Sequence, residues 1–349
     1  MAKTPIWPEI LLLLWAKVDL TLEQSQWAMR EILDGNAEIE NVKAFLLALK
    51  EKGESAQEVE SFVAQMIAHC SPILITERAV DTVGTGGDGA HTINISTTAA
   101  IIAAAAGARV VKHGNRAASS KSGSADLLEA LGIAITLDGD GVARCVEEIG
   151  IGFCFAPIFH PAMRFAGPAR KELGVPTIFN ILGPLANPAQ PKAMAVGVAN
   201  AGVHQLMAQV LADRGVEGFV FRGDDGLDEI TLGTTTTVLT ISGGKFSKNS
   251  LDPLDFAIDR APVSALVGGD AKENAEITKA IFAGERGAPR DAVVLNAAAA
   301  IAAYEGLTNL SLNERIEAGI EKAIQAIDSG KATTLLNQWV ALSQQISAS

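Results

Sequence analysis

The stretch from Val80 to Lys112 constrains the fold more than any other part of the chain. Val80-Asp81-Thr82-Val83 reads as a strand, Ser96–Ala106 as an Ala-rich helix and Arg109-Val110-Val111-Lys112 as the next strand, with a glycine-rich turn after the first. The alternation continues through a helix near 123–131, strands near 152–156 and 194–198, a helix near 203–214 and a strand at 217–222. Strands alternating with helices of this length predict an α/β fold with a mainly parallel central sheet covered on both faces. The region 234–265 is richer in Thr, Val and Ser and predicts antiparallel edge strands, and 270–347 predicts three or four helices.

The residues ahead of this unit read as helices only, over about 6–17, 22–34, 38–52 and 56–70. Thr21-Leu22-Glu23-Gln24 and Ser55-Ala56-Gln57-Glu58 match the capping box, in which a hydroxyl and a carboxylate or amide satisfy orphan amides at a helix start. Val59, Phe62, Val63, Met66 and Ile67 then recur on one helix face. So short an assembly buries little by itself and is expected to pack against the rest of the chain. The clearest boundary lies near 72–77, which divides the 349 residues into a small helical domain, 1–75, and a larger α/β domain, 76–349. Two domains also suit a chain of this length.

Composition removes several functions. The chain has 28 Lys plus Arg and 40 Asp plus Glu, a formal net charge of −12. Nucleic acids and anionic membranes both reward a basic surface, so neither is an expected partner. Hydrophobic residues at 48 % and charged residues at 19 % exclude a mostly disordered chain. Cys70, Cys145 and Cys154 are odd in number and show no metal spacing, which argues against a disulfide framework. The apolar run Ile10–Ala16 lacks a basic leader and a following A-x-A site. The Ala-rich run 97–108 is far shorter than the roughly 20 residues that span a bilayer. A soluble cytoplasmic protein is expected.

Gly84, Gly86 and Gly89 satisfy G-x-G-x-x-G after a strand, the pattern of a dinucleotide loop. A nicotinamide site also wants an acid about 20 positions on, at the end of the next strand. That strand ends instead in Lys112-His113-Gly114-Asn115-Arg116, and Asp88 would repel a bare pyrophosphate unless it met a hydroxyl or a metal. The dinucleotide reading fails. Residues 89–125 contain no acid, in a chain that is acidic overall, yet they carry Arg109, Lys112, Arg116 and Lys121. They also carry Thr92, Asn94, Ser96, Thr97, Thr98, Asn115, Ser119, Ser120, Ser122 and Ser124. Asn94-Ile95-Ser96-Thr97 opens the Ala-rich helix, and a helix N-terminus is a ready anion site. Caps and turns collect the same residue types, but together with the missing acids they favour a ligand bearing several phosphates.

Two further stretches bear on chemistry. Phe219–Glu229 delivers Asp224, Asp225, Asp228 and Glu229 from a strand into a loop containing Gly223 and Gly226. Such a loop is either a solvated acidic turn or a place where a cation relieves repulsion, and Mg²⁺ commonly binds through one or two carboxylates plus substrate phosphates. A phosphate loop elsewhere in the chain favours the metal. Arg164 and Arg170 are six residues apart and would not share a helix face, so only one need reach a site, where its planar fork would match a carboxylate. Asn180–Pro188 is a Gly/Pro/Asn turn cluster, read as structural. Of the five histidines, His113 sits in the basic cluster, while His69, His91, His160 and His204 read as structural.

At these residues the chain resembles the anthranilate phosphoribosyltransferase family. The resemblance is carried by Gly84–Asp88, Asn94–Thr97, Lys112–Arg116, Ser119–Asp126, His160–Met163, Phe179–Pro188 and Asp225–Glu229, in the family's order, across about residues 20 to 345. It implies transfer of the phosphoribosyl group from phosphoribosyl pyrophosphate (PRPP) to the amine of anthranilate, with Mg²⁺, two ions being expected. It also implies the fold of nucleoside phosphorylases and these transferases, with helices near 165–190 completing the helical domain, and a homodimer formed through that domain.

Carried over by motif, PRPP would meet Gly84, Gly87, Asp88, Thr92, Asn94, Ile95, Ser96 and Thr97, then Lys112, His113, Gly114, Asn115, Arg116, Ala117, Ala118, Ser119, Ser120 and Ser124. Mg²⁺ would meet Ser96, Asp228 and Glu229. Anthranilate would meet Gly84, Asn115 and, through its carboxylate, Arg170. No single catalytic residue is implied, because the amine of anthranilate is a competent neutral nucleophile. The chain departs from the family at Phe165, where a second His is frequent, and at Pro176, where an Arg is frequent. Two alternatives share the architecture: a pyrimidine nucleoside phosphorylase, whose signature near the second strand is not found, and a non-enzymatic nucleic-acid-binding relative, which would want a basic groove and a degraded metal motif.

Overall fold

A computed structural model describes residues 4–117, 120–306 and 309–349. Four helices come first: α1 (Trp7–Trp15), α2 (Leu22–Leu33), α3 (Ile39–Lys52) and α4 (Ala56–Ala68). Both capping boxes form, at Thr21 with Gln24 and at Ser55 with Glu58. Strands and helices then alternate as β1 (Val80–Gly84), α5 (Ile95–Ala105), β2 (Val110–Gly114), α6 (Ser124–Ala130), α7 (Gly139–Ile149) and β3 (Ile151–Phe155). Short helices α8 (Ala156–Phe159), α9 (Gly167–Leu173) and α10 (Phe179–Leu185) lead to β4 (Ala193–Gly197), α11 (Ala201–Asp213) and β5 (Glu217–Gly223). The hairpin β6 (Thr236–Ser242) and β7 (Lys245–Leu251) precedes α12 (Ala271–Phe282), α13 (Ala288–Glu305), α14 (Leu312–Asp328) and α15 (Lys331–Ser347). Helix α7 is the main element missing from the sequence reading. Gly139 and Gly141 in its first turn mask a helix that Asp138 caps by accepting the Gly141 amide.

The seven strands lie in the order β3-β2-β1-β4-β5-β6-β7. The first five run parallel, and the hairpin strands are antiparallel, as their Thr- and Ser-rich composition predicts. The chain leaves β1 toward β2 and β3 on one side, then returns to start again at β4 on the other. Connections that depart in opposite directions open a crevice at the carboxyl ends of the two central strands, where open parallel sheets bind their ligands.

The sheet separates two apolar cores. One holds α5, α6, α7 and α12 to α15, with the Ala-rich centre of α13 buried between its neighbours. The other holds α1 to α4 together with Ala166, Ala169, Ile178 and Leu182, and it continues onto Met194, Val196, Val220, Leu239 and Ile241 of the sheet. The first four helices therefore bury their apolar faces against α9 to α11 and the sheet, as their small size requires. Among the described residues no helix is long and apolar enough to cross a membrane.

Candidate active site at the carboxyl ends of β1 and β4

Both central strands end in glycine, Gly84 paired with Gly197, and the segment 228–229 lies directly across them. A Cβ on Gly84 would stand 2.3 Å from Asp228 Oδ2, and one on Gly197 only 1.6 Å from the Asp228 carbonyl oxygen. The loop after β5 divides its acids. Asp224 accepts from the Thr235 and Thr237 hydroxyls, and Asp225 from the Thr231 hydroxyl and the Leu227 amide, so these two close the turn. Asp228 and Glu229 are buried instead.

Asp228 Oδ2 accepts the Gly86 amide at 2.6 Å and lies in hydrogen-bond contact with the Asp88 carboxyl. Glu229 accepts the Ser96 amide. Burial pushes both carboxyls upward; the charge of Asp88 adds to the shift at Asp228, and Asp228 to that at Glu229. Acids gathered in a dry crevice favour a cation, and these oxygen donors suit Mg²⁺. Among the described residues no three His, Cys, Asp or Glu side chains enclose a cation by themselves. Mg²⁺ held by two carboxylates and a substrate phosphate needs no such cage.

Lys112 lies beneath, fully buried, with Nζ donating to the Thr82 carbonyl at 2.6 Å and the Ser96 hydroxyl at 3.4 Å. Burial lowers its pKa, while Asp81 and Glu229 pull it back up. Asp81 is pushed up to about 6 by burial, against the pull of Lys112. Its carboxylate accepts from Asn187 Nδ2 at 2.8 Å, and Asn187 also donates to the Val111 carbonyl at 2.8 Å. The Asn180–Pro188 cluster is thus a brace joining β1 to β2 under the site.

The glycine loop opens above these groups. Gly86 and Gly87 adopt φ of +68° and +83°, and nothing lies within 4 Å of where their side chains would stand. Successive amides in such a turn form an anion-binding concavity. Asp88 accepts the Ala90 amide, Thr92 bridges to Val267, and Asn94 begins α5 without a side-chain cap on the helix amides. Ile95 and Thr97 are buried in the first turn, Thr97 with its hydroxyl unpartnered.

After β2, His113 is buried. Its Nδ1 meets the Gly183 carbonyl at 3.0 Å and its Nε2 has no partner. Burial, helped by His160 at 5.2 Å, pushes its pKa down to about 3, so the ring is neutral. Gly114 leaves room for Ser124, whose Oγ would stand 3.0 Å from a Cβ there. Asn115 Oδ1 accepts the Arg116 amide, Ala117 donates its amide to Asp126, and Ser120 donates to the Ser122 carbonyl. Ala118 and Ser119 fall outside the described residues.

The cations of the acid-free stretch do not all converge. Arg116 pairs with Asp126 and Glu129, each at 2.9 Å. Arg109, at the amino end of β2, pairs with Glu77 at 3.2 Å. A stretch without acids in sequence still meets acids in space, so Arg109 and Arg116 do not stand as unpaired cations. His91 is exposed, while His160 and His204 are buried structural rings whose Nε2–H donates to the Ala186 and Val220 carbonyls.

Arg170 on α9 is half-buried and has no acidic partner among the described residues. Burial alone lowers its pKa, and its guanidinium lies 5.4 Å from the Phe179 ring centre. Phe179 and Gly183 belong to the same short helix, and Gly183 holds His113, so Arg170 is tied to the end of β2. Arg164 is exposed over the Phe165 ring at 4.6 Å, and that ring rests against Gly35. Of the two arginines only Arg170 faces a partly desolvated space with its charge unpaired.

Two family models match. The glycosyl transferase family α/β domain covers residues 76–333 and the helical bundle domain of the same family covers 8–70. An anthranilate phosphoribosyltransferase from Rhodococcus jostii is 52 % identical over 98 % of this chain and 95 % of its own. The crystal structure of the enzyme from Thermus thermophilus superposes with a TM-score of 0.89 at 38 % identity, covering 96 % of this chain and 99 % of that one. The Saccharomyces cerevisiae enzyme in complex with PRPP and Mg has a TM-score of 0.86 at 28 % identity over 97 % and 98 % of the two chains. The yeast protein has also been solved with 4-fluoroanthranilate.

Proposed function

This chain belongs to the anthranilate phosphoribosyltransferase family, and we propose that the crevice at β1 and β4 is where it transfers the 5-phosphoribosyl group of PRPP to the amine of anthranilate, releasing pyrophosphate. The reaction is a step of tryptophan biosynthesis. The observation that carries the assignment of the site is the burial of Asp228 and Glu229 against the glycine loop, with Asp88 beside them, at the point where the strand order reverses.

Breaking the C1–O bond puts negative charge on the leaving pyrophosphate and oxocarbenium character on the sugar. The glycine-loop amides and the first turn of α5 are fixed donors for the phosphates, and preorganised donors of this kind often dominate catalysis. Asp228, Glu229 and Ser96 would hold Mg²⁺, two ions in our reading, which when bound neutralises charge on the leaving group. Arg170 takes the anthranilate carboxylate and turns the amine toward C1, with Gly84 and Asn115 beside it. The amine attacks as a neutral nucleophile and loses its proton once the N–C bond has formed, so no side chain is assigned as a general base. Closure of the helical unit would align the reactants and exclude water that would hydrolyse PRPP.

Incubation with PRPP, Mg²⁺ and anthranilate should consume anthranilate fluorescence and release pyrophosphate in equal amounts; no consumption would overturn the reading. The nucleoside phosphorylase and nucleic-acid-binding alternatives are set aside, given 52 % identity to a named anthranilate phosphoribosyltransferase and an acidic chain that keeps Asp228 and Glu229.

We also propose a cytoplasmic homodimer formed through the helical unit. Ile6, Leu12, Trp15, Val18, Leu22, Ile39 and Leu47 all lie there as exposed large apolar side chains, Leu12 and Trp15 at 64 % and 62 % exposure. Large apolar side chains left exposed in this number on one small unit suit burial against a second copy. Light scattering should give twice the chain mass, and the variant Leu12→Glu/Trp15→Glu should give the monomer mass; a monomeric parent protein would refute the dimer.

A further inference from the structure

We propose that Asn274, on α12, is a positioning residue for PRPP: it fixes the direction of the Asn94 amide and thereby locks the start of α5 and the 120–124 turn in one register. The proposal rests on reading the crevice as the PRPP site. A primary amide side chain has two donor hydrogens and two acceptor lone pairs. In Asn94, Oδ1 accepts from Ser122 Oγ at 3.0 Å and from Asn274 Nδ2 at 2.8 Å, and Nδ2 donates to the Ser122 carbonyl at 3.0 Å. One N–H remains for a ligand, and the other three bonds dictate where it points.

Asn274 is itself immobilised. It is 2 % exposed, its Oδ1 accepts the Gly269 amide at 2.8 Å, and a Cβ on Gly268 would stand 2.6 Å from that oxygen. One helical turn on, the Thr278 hydroxyl meets that of Thr98 at 3.1 Å. Asn94 and Thr98 on α5 are thus matched by Asn274 and Thr278 on α12, each pair separated by one turn. The segment before α12 adds a second clamp, because the Ile93 amide donates to the Leu266 carbonyl at 2.8 Å and the Gly268 amide to the His91 carbonyl at 2.9 Å. His91 is held there at φ +52°, a conformation a non-glycine residue keeps only when its surroundings impose it. The C-terminal half of the chain therefore backs the phosphate side of the crevice, with Asn274 reaching the Asn94 amide from α12.

Asn274→Asp keeps the size and the acceptor for Gly269, but it sets a carboxylate oxygen against Asn94 Oδ1 and forces that amide to turn. With Mg²⁺ present, the Kd for PRPP by calorimetry and the KM for PRPP should each rise roughly tenfold or more, as expected for a misaimed ligand contact. The KM for anthranilate should stay unchanged. Asn274→Ala, which suits a helix, should weaken PRPP in the same sense even where the Asp variant folds poorly. Ser122→Ala acts through the same oxygen, so its effect combined with Asn274→Ala should be less than the product of the two. Ile281→Ala, on the same helix and buried, should lower the melting temperature without changing PRPP affinity. Parental PRPP affinity in folded Asn274→Ala, or an equal affinity loss in Ile281→Ala, would overturn the proposal. A parent protein that binds no PRPP would instead overturn the reading of the site.

Discussion

The double variant Asp228→Asn/Glu229→Gln is expected to lose Mg²⁺-dependent turnover by roughly 10³-fold or more while its ligand-free form melts at a higher temperature than the parent. The two effects have one origin. Asp81 and Glu229 act on the buried ammonium of Lys112, Asp228 and Asp88 lie close to Glu229, and burial drives the carboxyls at 81, 228 and 229 upward. Negative charge held there without a cation opposes folding, because desolvation and like-charge repulsion both disfavour it. The amides keep the shape, and an Asn at 228 still accepts the Gly86 amide and can donate to Asp88. Relief of about 1 kcal/mol would raise the melting temperature by about 2 °C in a chain of this size. Residues kept for function commonly cost stability in this way. Turnover assays across a Mg²⁺ series, with thermal melts in EDTA, measure both halves. Full activity would remove the pair from the site, and a lower melting temperature would refute the charge argument.

How much of this was visible in the sequence depends on the range of the interaction that produces it. Capping boxes at Thr21 and Ser55 act over three residues, and both formed. The strand–helix alternation acts over ten to twenty residues and marked the parallel sheet, while the Thr- and Ser-rich composition of 234–265 marked the antiparallel edge hairpin. The glycine loop and the acids of the 223–229 turn could be found as motifs, because each is contiguous. What spacing could not reveal is which of Asp224, Asp225, Asp228 and Glu229 turn inward. That depends on Thr231, Thr235 and Thr237 capturing the first two. Charge counting along the chain also did not show that Arg116 pairs with acids on α6, 10 and 13 residues further on. Asn274 was missed, and Asn187 was placed in a structural turn without its partner being visible, for the same reason: their partners stand 180 and 106 positions away. The nearest signal was compositional, since a lone Asn inside a helix has poor helix propensity and invites a search for a buried hydrogen bond.

Replacing Arg170 by Ala should cut kcat/KM for anthranilate by roughly two orders of magnitude, the worth of about 3 kcal/mol for a desolvated charge-assisted pair. The Kd for PRPP should be nearly unchanged. The guanidinium is half-buried, pays part of its desolvation cost in advance, and meets no carboxylate of the chain among the described residues. A cation left so is either a defect or a receptor for an anion that arrives with the substrate. Phe179 beneath it holds the guanidinium by its ring face, and the helix bearing Phe179 is pinned to His113 through Gly183. The fork is therefore preorganised, and the binding energy it gives goes into orienting the amine rather than ordering the side chain. Arg170→Lys should recover only part of the loss, because an ammonium is a point charge and cannot form the parallel two-bond pair. Arg164→Ala supplies the contrast: its side chain is exposed over Phe165, so its kcat/KM should remain near the parent value. Were the effects of the two arginines equal, the carboxylate would have to be bound elsewhere; were anthranilate methyl ester, which lacks the anion, used as well as anthranilate by the parent protein, no fork would be needed at all.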